Sequence, residues 1–149
     1  MIRNLDATNP HPYTFEWNQG IDLTGTNILA IGGTGNLGET FVYAAAASGA
    51  TVAIADMPPK DTEKSRAYLE KLGAVVANVT DIAGSPPLVL DADVTDAEGL
   101  VSAVELANER LGHIDIGVDF AGIHHPTFDL PRDNPTELAE IFRRVIEVN

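Results

Sequence analysis

The sequence predicts an α/β fold, a doubly wound parallel sheet with helices on both faces in three α/β/α layers. Short apolar segments without polar alternation recur along the chain, and segments with helical spacing of apolar residues separate them. Strands of that kind are typical of parallel sheets that are buried on both faces. A glycine-rich turn between the first strand and the first helix makes the pattern Rossmann-like. The 149 residues suffice for one core, so we expect a single domain.

The strands and helices alternate in order from residue 23 onward. Strands are predicted over residues 27–31, 51–55, 88–92 and 114–120. Helices are predicted over 37–48, 62–72 and 96–111, each followed by glycine, and from Pro135 to the end. Segment 74–87 leaves two alternatives, an extra strand with a loop or the third strand itself. Residues 1–22 lack either period, so we expect an irregular aromatic arm before a dinucleotide-binding domain over 23–149.

The turn over residues 31–38 predicts a phosphate-binding loop. Gly32 would let the chain leave the strand sharply, Gly35 would let backbone amides approach a pyrophosphate, and Gly38 would let the helix pack closely on the sheet. The phosphate would then lie at the positive end of the helix. We expect the other residues of the turn to line the same ligand: Thr34, Asn36 and Leu37.

An acid at the end of the second strand predicts which dinucleotide binds. Asp56 lies eighteen residues after Gly38, and its carboxylate can accept hydrogen bonds from both ribose hydroxyls. Its charge would repel a 2'-phosphate, and no arginine lies in the loop or directly after it, so NAD is favoured over NADP. We expect Met57 to lie beside the cofactor. The alternative is an aspartate that caps the turn at Pro58–Pro59.

Charge and composition exclude several other classes of function. The formal net charge is -13, which opposes binding to nucleic acid or to an anionic membrane surface. No cysteine is present, and no apolar run is long enough to span a membrane. We therefore expect a cytoplasmic protein without a metal site. His124 and His125 follow the fourth strand, where they could line a ligand pocket or be exposed loop residues.

From residue 23 to the end, the chain resembles the N-terminal part of a short-chain dehydrogenase/reductase. The resemblance rests on the lead-in Ile21–Gly25, the glycine turn and the Gly112–Asp115 segment, together with three features that imply functional residues. Asp93 and Val94 resemble the pair at the adenine ring, and Ala121 and Gly122, after Phe120, resemble the cofactor-contacting end of the fourth strand. Asn149 resembles the helix asparagine of the catalytic set. The resemblance implies NAD, a small alcohol or ketone substrate and a homo-oligomer.

The chain also departs from that family's pattern. Asp119–Phe120 stands where an asparagine pair is usual, and Asn36 stands where many members have glycine. The family's catalytic serine and Tyr-x-x-x-Lys pair have no counterpart here, since no tyrosine is followed by lysine four residues later. With strands in the order 3-2-1-4, the fourth would be an uncovered edge. We therefore expect a chain truncated after the fourth helix and inactive alone; the alternative is a non-catalytic nucleotide-binding or regulatory module.

Overall fold

The computed structural model describes residues 21–57, 62–123 and 134–149, and for residues 62–65 it describes the backbone alone. It contains four strands, β1 (Asn27–Ile31), β2 (Thr51–Asp56), β3 (Leu88–Asp91) and β4 (Ile116–Asp119). Its four helices are α1 (Asn36–Ala47), α2 (Thr62–Ala83), α3 (Ala97–Leu111) and α4 (Pro135–Val148). The strands form one parallel sheet in the order β3-β2-β1-β4. The predicted fold class and strand order are therefore confirmed.

The parallel register brings the carboxyl ends of all four strands to one edge of the sheet. Ile31 at the end of β1 pairs with Ala55 of β2 and with Asp119 of β4. Asp56, the last residue of β2, pairs with Asp91, the last residue of β3. Ligands of open parallel sheets bind outside this edge, so the polar residues predicted to hold a cofactor are placed there together.

Two apolar cores, one on each face of the sheet, produce the three layers. On one face, α1 and α2 cover a cluster that includes Ile28, Val42 and Ile54, which are at most 1% exposed. On the other face, α3 covers a cluster that includes Leu29 and Ala107. Because consecutive strand residues point to opposite faces, both faces of β1 are apolar, as the sequence pattern predicts.

Helix α2 is longer than predicted. The prediction that it ends at residue 72, closed by Gly73, is wrong, and so are both alternatives for segment 74–87. The helix continues because Val75 and Val79, one turn apart, are buried to 1% and 2% exposure in the core beneath α1. That burial offsets the roughly 1 kcal/mol that a glycine costs inside a helix. The helix ends at Gly84, which has φ +76° and donates its amide to Thr80 O at 2.8 Å.

The remaining element boundaries differ from prediction by one or two residues. Strand β4 covers 116–119 rather than 114–120, and α3 begins at Ala97 because Asp96 is its N-cap and accepts a hydrogen bond from the Gly99 amide. Helix α4 begins at Pro135 behind the N-cap Asn134, whose side chain accepts from the Glu137 amide. In the parts of the chain that the structure describes, no helix combines the length and apolar character that a membrane span requires.

Helix α4 buries none of its apolar residues fully. None of its residues is buried, and Phe142 and Ile146 are 54% and 75% exposed. The reason is that, within the described residues, its side of β4 offers no further strand or helix to pack against. Strand β4 is correspondingly open, with Ile116 37% exposed.

Tyr68 of α2 carries a hydroxyl that the described part of the protein leaves unsatisfied. Its Oη is buried without a hydrogen-bond partner among the described residues. Burial, followed by the negative charges of Asp56 and Asp91, raises the pKa of Tyr68 to about 12. Above pH 10 the unfolded chain releases this proton while the folded chain keeps it, so stability falls as the pH rises from 10 towards 12.

We expect Tyr68→Phe to raise the free energy of unfolding at pH 7 by about 1 kcal/mol, because it removes an unsatisfied buried hydroxyl. The variant should also lose less stability than the parent between pH 10 and pH 11. Urea titrations at pH 7, 10 and 11 measure both effects. The matched control is Tyr43→Phe, which removes hydrogen bonds to Glu39 and Asn78 and should destabilise the protein. A loss of stability in Tyr68→Phe at pH 7 would contradict the prediction.

Candidate functional site

A cleft of about 1020 Å³ lies at the carboxyl ends of the strands, between the glycine turn and helix α4. Ten of the predicted site residues line it, from four separate stretches of the chain. They are Gly32, Thr34, Gly35, Asp56, Met57, Asp93, Val94, Phe120, Ala121 and Gly122. Residues more than eighty positions apart in sequence therefore share one surface because the parallel sheet aligns their strand ends.

The glycine turn is packed so tightly that side chains are excluded at two of its positions. Gly32 has φ +69°, and a Cβ on it would lie 2.6 Å from the backbone nitrogen of Ala121. A Cβ on Gly38 would lie 2.8 Å from the Cα of Gly33, so the helix can approach the turn only without a side chain there. Gly35 is the N-cap of α1, and no described side chain caps the helix. The first backbone amides of α1 therefore lack a side-chain acceptor among the described residues at the end of the helix that borders the cleft.

The Asp56 carboxylate is held in place by the glycine turn. Its Oδ2 accepts hydrogen bonds from the Thr34 amide at 2.9 Å and from the Thr34 hydroxyl, and its Oδ1 accepts from the Met57 amide at 2.9 Å. Thr34 is itself 6% exposed. All three partners are donors, so the carboxylate is oriented as an acceptor and keeps lone pairs for further donors. The sequence predicted the acid but not this link between the turn and β2.

The segment that follows β3 contributes a second group of polar atoms to the cleft. The Asp93 Oδ1 accepts from the Thr95 amide at 3.0 Å and from the Thr95 hydroxyl at 2.6 Å. The Asp93 carbonyl also accepts from the Asp96 amide at 2.9 Å, which leads the chain into α3. This local turn holds Asp93 and Val94 at the rim of the cleft.

The unusual pair at the end of β4 has a local structural explanation. Asp119 accepts a hydrogen bond from the Ala121 amide through Oδ1 at 2.8 Å, which requires only an acceptor. The Phe120 ring lies against Phe41 of α1, with ring centroids 5.1 Å apart and planes at 48°. The tilted ring contact ties the β4 end to the helix that follows the glycine turn. An aspartate and a phenylalanine can therefore brace this strand end where an asparagine pair is usual.

Asn149 lies beside the cleft and connects α4 to the β4 end. Its side chain accepts from the Ile123 amide at 2.9 Å and donates to the Ile123 carbonyl at 2.8 Å. A Cβ on Gly122 would lie 2.8 Å from the Asn149 Oδ1, so the helix end approaches the strand end closely. In the described residues the Asn149 amide is thus occupied by backbone, which is a positioning arrangement.

Some predicted residues lie next to the cleft without lining it, and some lining residues were missed. Asn36 and Gly38 are in the first turn of α1, where Leu37 is 77% exposed. The charged residues that line the cleft from helices went unpredicted: Lys71 of α2 and Glu140, Arg143, Arg144 and Glu147 of α4. Only the tertiary fold brings these to the strand ends. His124, His125 and the Pro58–Pro59 turn lie outside the described residues, as does the arm up to residue 20.

Comparison with known proteins identifies a matching family model and several relatives of this chain. Residues 33–149 match the family model described as enoyl-(acyl carrier protein) reductase. The 3-hydroxyacyl-CoA dehydrogenase type-2 of Bos taurus is 32% identical over 129 residues, which cover 85% of this chain and 44% of that protein. The L-fucose dehydrogenase of Mus musculus is 31% identical over 126 residues, or 85% of this chain and 39% of that protein. The chain spans less than half the length of these relatives.

Solved structures are similar to this chain in fold. A short-chain type dehydrogenase/reductase from Mycobacterium marinum has a TM-score of 0.65 and 26% identity, over 85% of this chain and 44% of that chain. A hydroxysteroid dehydrogenase from Escherichia coli has a TM-score of 0.65 and 26% identity, over 86% of this chain and 47% of that chain. With its glycine turn and strand order, the chain belongs to the short-chain dehydrogenase/reductase family.

Proposed function

We propose that the cleft binds NAD and that the chain is the cofactor-binding part of an oxidoreductase acting on an alcohol or ketone. The observation that carries the proposal is the junction of the glycine turn with the Asp56 carboxylate, linked through Thr34. The turn offers an anion the uncapped end of α1, and the carboxylate offers the ribose hydroxyls an oriented acceptor. A dinucleotide carries both groups.

The residues present fit such a cofactor on steric grounds. Gly32 and Ala121 both line the cleft, and their backbones meet there. A Cβ on Gly32 would lie 2.6 Å from the Ala121 nitrogen, so this part of the cleft wall is backbone without a side chain from Gly32. A diphosphate can approach bare backbone amides closely. A bound nicotinamide would supply the hydride acceptor or donor for the reaction.

The chain's own residues would bind and orient the cofactor in this proposal. Asp56 would accept from the adenosine ribose, and Asp93 and Val94 would lie at the adenine ring. Phe120, Ala121 and Gly122 would lie towards the nicotinamide end. Asn149 would position the strand end by its two hydrogen bonds to Ile123. A cytoplasmic location and a homo-oligomer stay predictions.

A nucleotide-binding module without turnover is the second candidate function. It is favoured by the absence, in this sequence, of any tyrosine followed by lysine four residues later. Such a pair would supply the general acid or base for hydride transfer. Both candidates share the cofactor site. They differ only in whether the protein transfers a hydride between the bound cofactor and a substrate.

Isothermal titration calorimetry of the 149-residue chain with NADH tests the proposal, with NADPH as the comparison ligand. We expect one site and tighter binding of NADH, because the Asp56 charge disfavours a 2'-phosphate. No heat with either ligand would contradict the cofactor site. With binding established, absorbance at the nicotinamide band in the presence of NAD and secondary alcohols, measured on the protein from its natural source, separates the two candidates. Turnover by this chain alone would contradict the prediction that it is inactive alone.

A further inference from the structure

Lys71 brings a positive charge into the cleft from an unexpected element. It lies on the third turn of α2, yet it lines the same cleft as Thr34 and Asp56. Its ammonium Nζ is 3.4 Å from the Asn36 Oδ1, in the first turn of α1, and 3.7 Å from the Glu39 Oε2. The contact between α1 and α2 therefore places a lysine against the glycine turn.

The two contacts that Lys71 makes with described residues are long, and the side chain is partly solvated. A lysine hydrogen bond has its optimum near 2.9 Å, so neither contact holds the ammonium firmly. The Lys71 side chain is 41% exposed and that of Glu39 is 33% exposed, which makes their ion pair weak. A lysine has three donors on a flexible stem, so Lys71 can turn from these partners to a stronger acceptor in the cleft.

A phosphate on the adenosine ribose is the acceptor that fits this place. With the ribose hydroxyls at Asp56, as proposed above, a phosphate on that ribose would lie in the cleft that Lys71 also lines. A dianionic phosphate there would repel Asp56 and attract Lys71. A hydrogen bond between two charged groups is shorter and stronger than the neutral contact to Asn36 that it would replace.

We propose that Lys71 is a specificity-determining residue that contacts the ribose 2'-phosphate and thereby admits NADPH to a site that Asp56 biases towards NADH. The proposal rests on the proposed function, because it takes the cofactor orientation from Asp56. Lys71 reduces the discrimination that Asp56 alone would impose. Glu39 opposes this effect, since it competes for the ammonium.

The test is the ratio of NADPH to NADH affinity, measured by calorimetry on the 149-residue chain and three variants. Lys71→Ala should lower the ratio about tenfold, the effect of losing one charge-assisted hydrogen bond in a partly solvated site. Glu39→Gln should raise the ratio, because it frees the ammonium while keeping an acceptor for the Tyr43 hydroxyl. Arg66→Ala is the matched control: it removes the same charge from an exposed position on α2, about 140° around the helix from Lys71.

The outcomes separate this inference from the proposed function. If the parent chain binds neither nucleotide, the cofactor site itself is refuted. If the parent binds NADH and Lys71→Ala leaves the ratio unchanged, or changes it no more than Arg66→Ala does, the role of Lys71 is refuted alone. Opposite shifts in Lys71→Ala and Glu39→Gln, with an unchanged ratio in Arg66→Ala, would establish it. A lysine with a merely structural role would lower both affinities together and leave the ratio in place.

Discussion

Replacing Gly32 by alanine is expected to lower the free energy of unfolding by about 3 kcal/mol and to abolish measurable NADH binding. The backbone φ of +69° is strained for alanine, and the new Cβ would lie 2.6 Å from the Ala121 nitrogen. The three nearest atoms, which belong to Phe120 and Ala121, are all backbone atoms, so relief requires that β1 and β4 separate at the edge where the cleft lies. Urea unfolding measures the loss of stability, and calorimetry at a temperature where the variant is folded measures binding.

Gly73→Ala is the matched control because the same chemical change should have the opposite effect. Gly73 is exposed within α2, and a Cβ there would meet nothing within 4 Å. Alanine should therefore stabilise the protein by about 0.5–1 kcal/mol and leave NADH binding unchanged. Equal effects of the two substitutions would contradict the assignment of Gly32 to a close backbone approach.

Asp56→Asn is expected to weaken NADH binding about 30-fold, or about 2 kcal/mol, because the ribose hydroxyls lose a charged acceptor. Asparagine keeps the size of the side chain and an acceptor oxygen for the Thr34 amide and hydroxyl, and it gives up only the oxygen that accepts from the Met57 amide, so the turn should keep its shape. NADPH binding should weaken far less, since the same change removes a repulsive charge from beside the 2'-phosphate. Calorimetry with both nucleotides checks the two expectations.

Asp91→Asn is the control for charge alone. Asp91 pairs in register with Asp56 but belongs to the neighbouring strand, where it is exposed. The Asp91→Asn substitution removes one negative charge from the same edge of the sheet and leaves the contact between Thr34 and Asp56 unchanged. We expect NADH affinity within about twofold of the parent, as for a screened surface charge. A loss as large as that of Asp56→Asn would show that the ribose acceptor is misassigned.

The cleft and helix α2 show which features of the structure local sequence patterns can predict. The glycine turn and Asp56 could be predicted because each requirement, a tight turn or an acid after a strand, concerns a single stretch of chain. The end of α2 could not be predicted in this way. A glycine such as Gly73 indicates the end of a helix unless the residues after it, here Val75 and Val79, are buried by another helix. Burial of these two valines depends on α1, which no pattern within α2 reveals.

Lys71 illustrates the same limit at the candidate site. In sequence it is one charged residue on an amphipathic helix, and such residues usually face solvent. Its place beside Asn36 follows from the packing of α1 against α2, with residues 35 positions apart brought to 3.4 Å. The Thr34–Asp56 and Phe41–Phe120 contacts are long-range in the same sense.

Local sequence patterns were enough to predict the α/β class, the order of the elements and the tight glycine turn after the first strand. These depend on periodicity, helix capping and the steric freedom of glycine, which act over a few residues. The charges that surround the cleft, the orientation of Asp56 and the hydrogen bonds of Asn149 to Ile123 became apparent from the folded chain. Those depend on the parallel register and on helix packing, which join distant segments through contacts that no local pattern encodes.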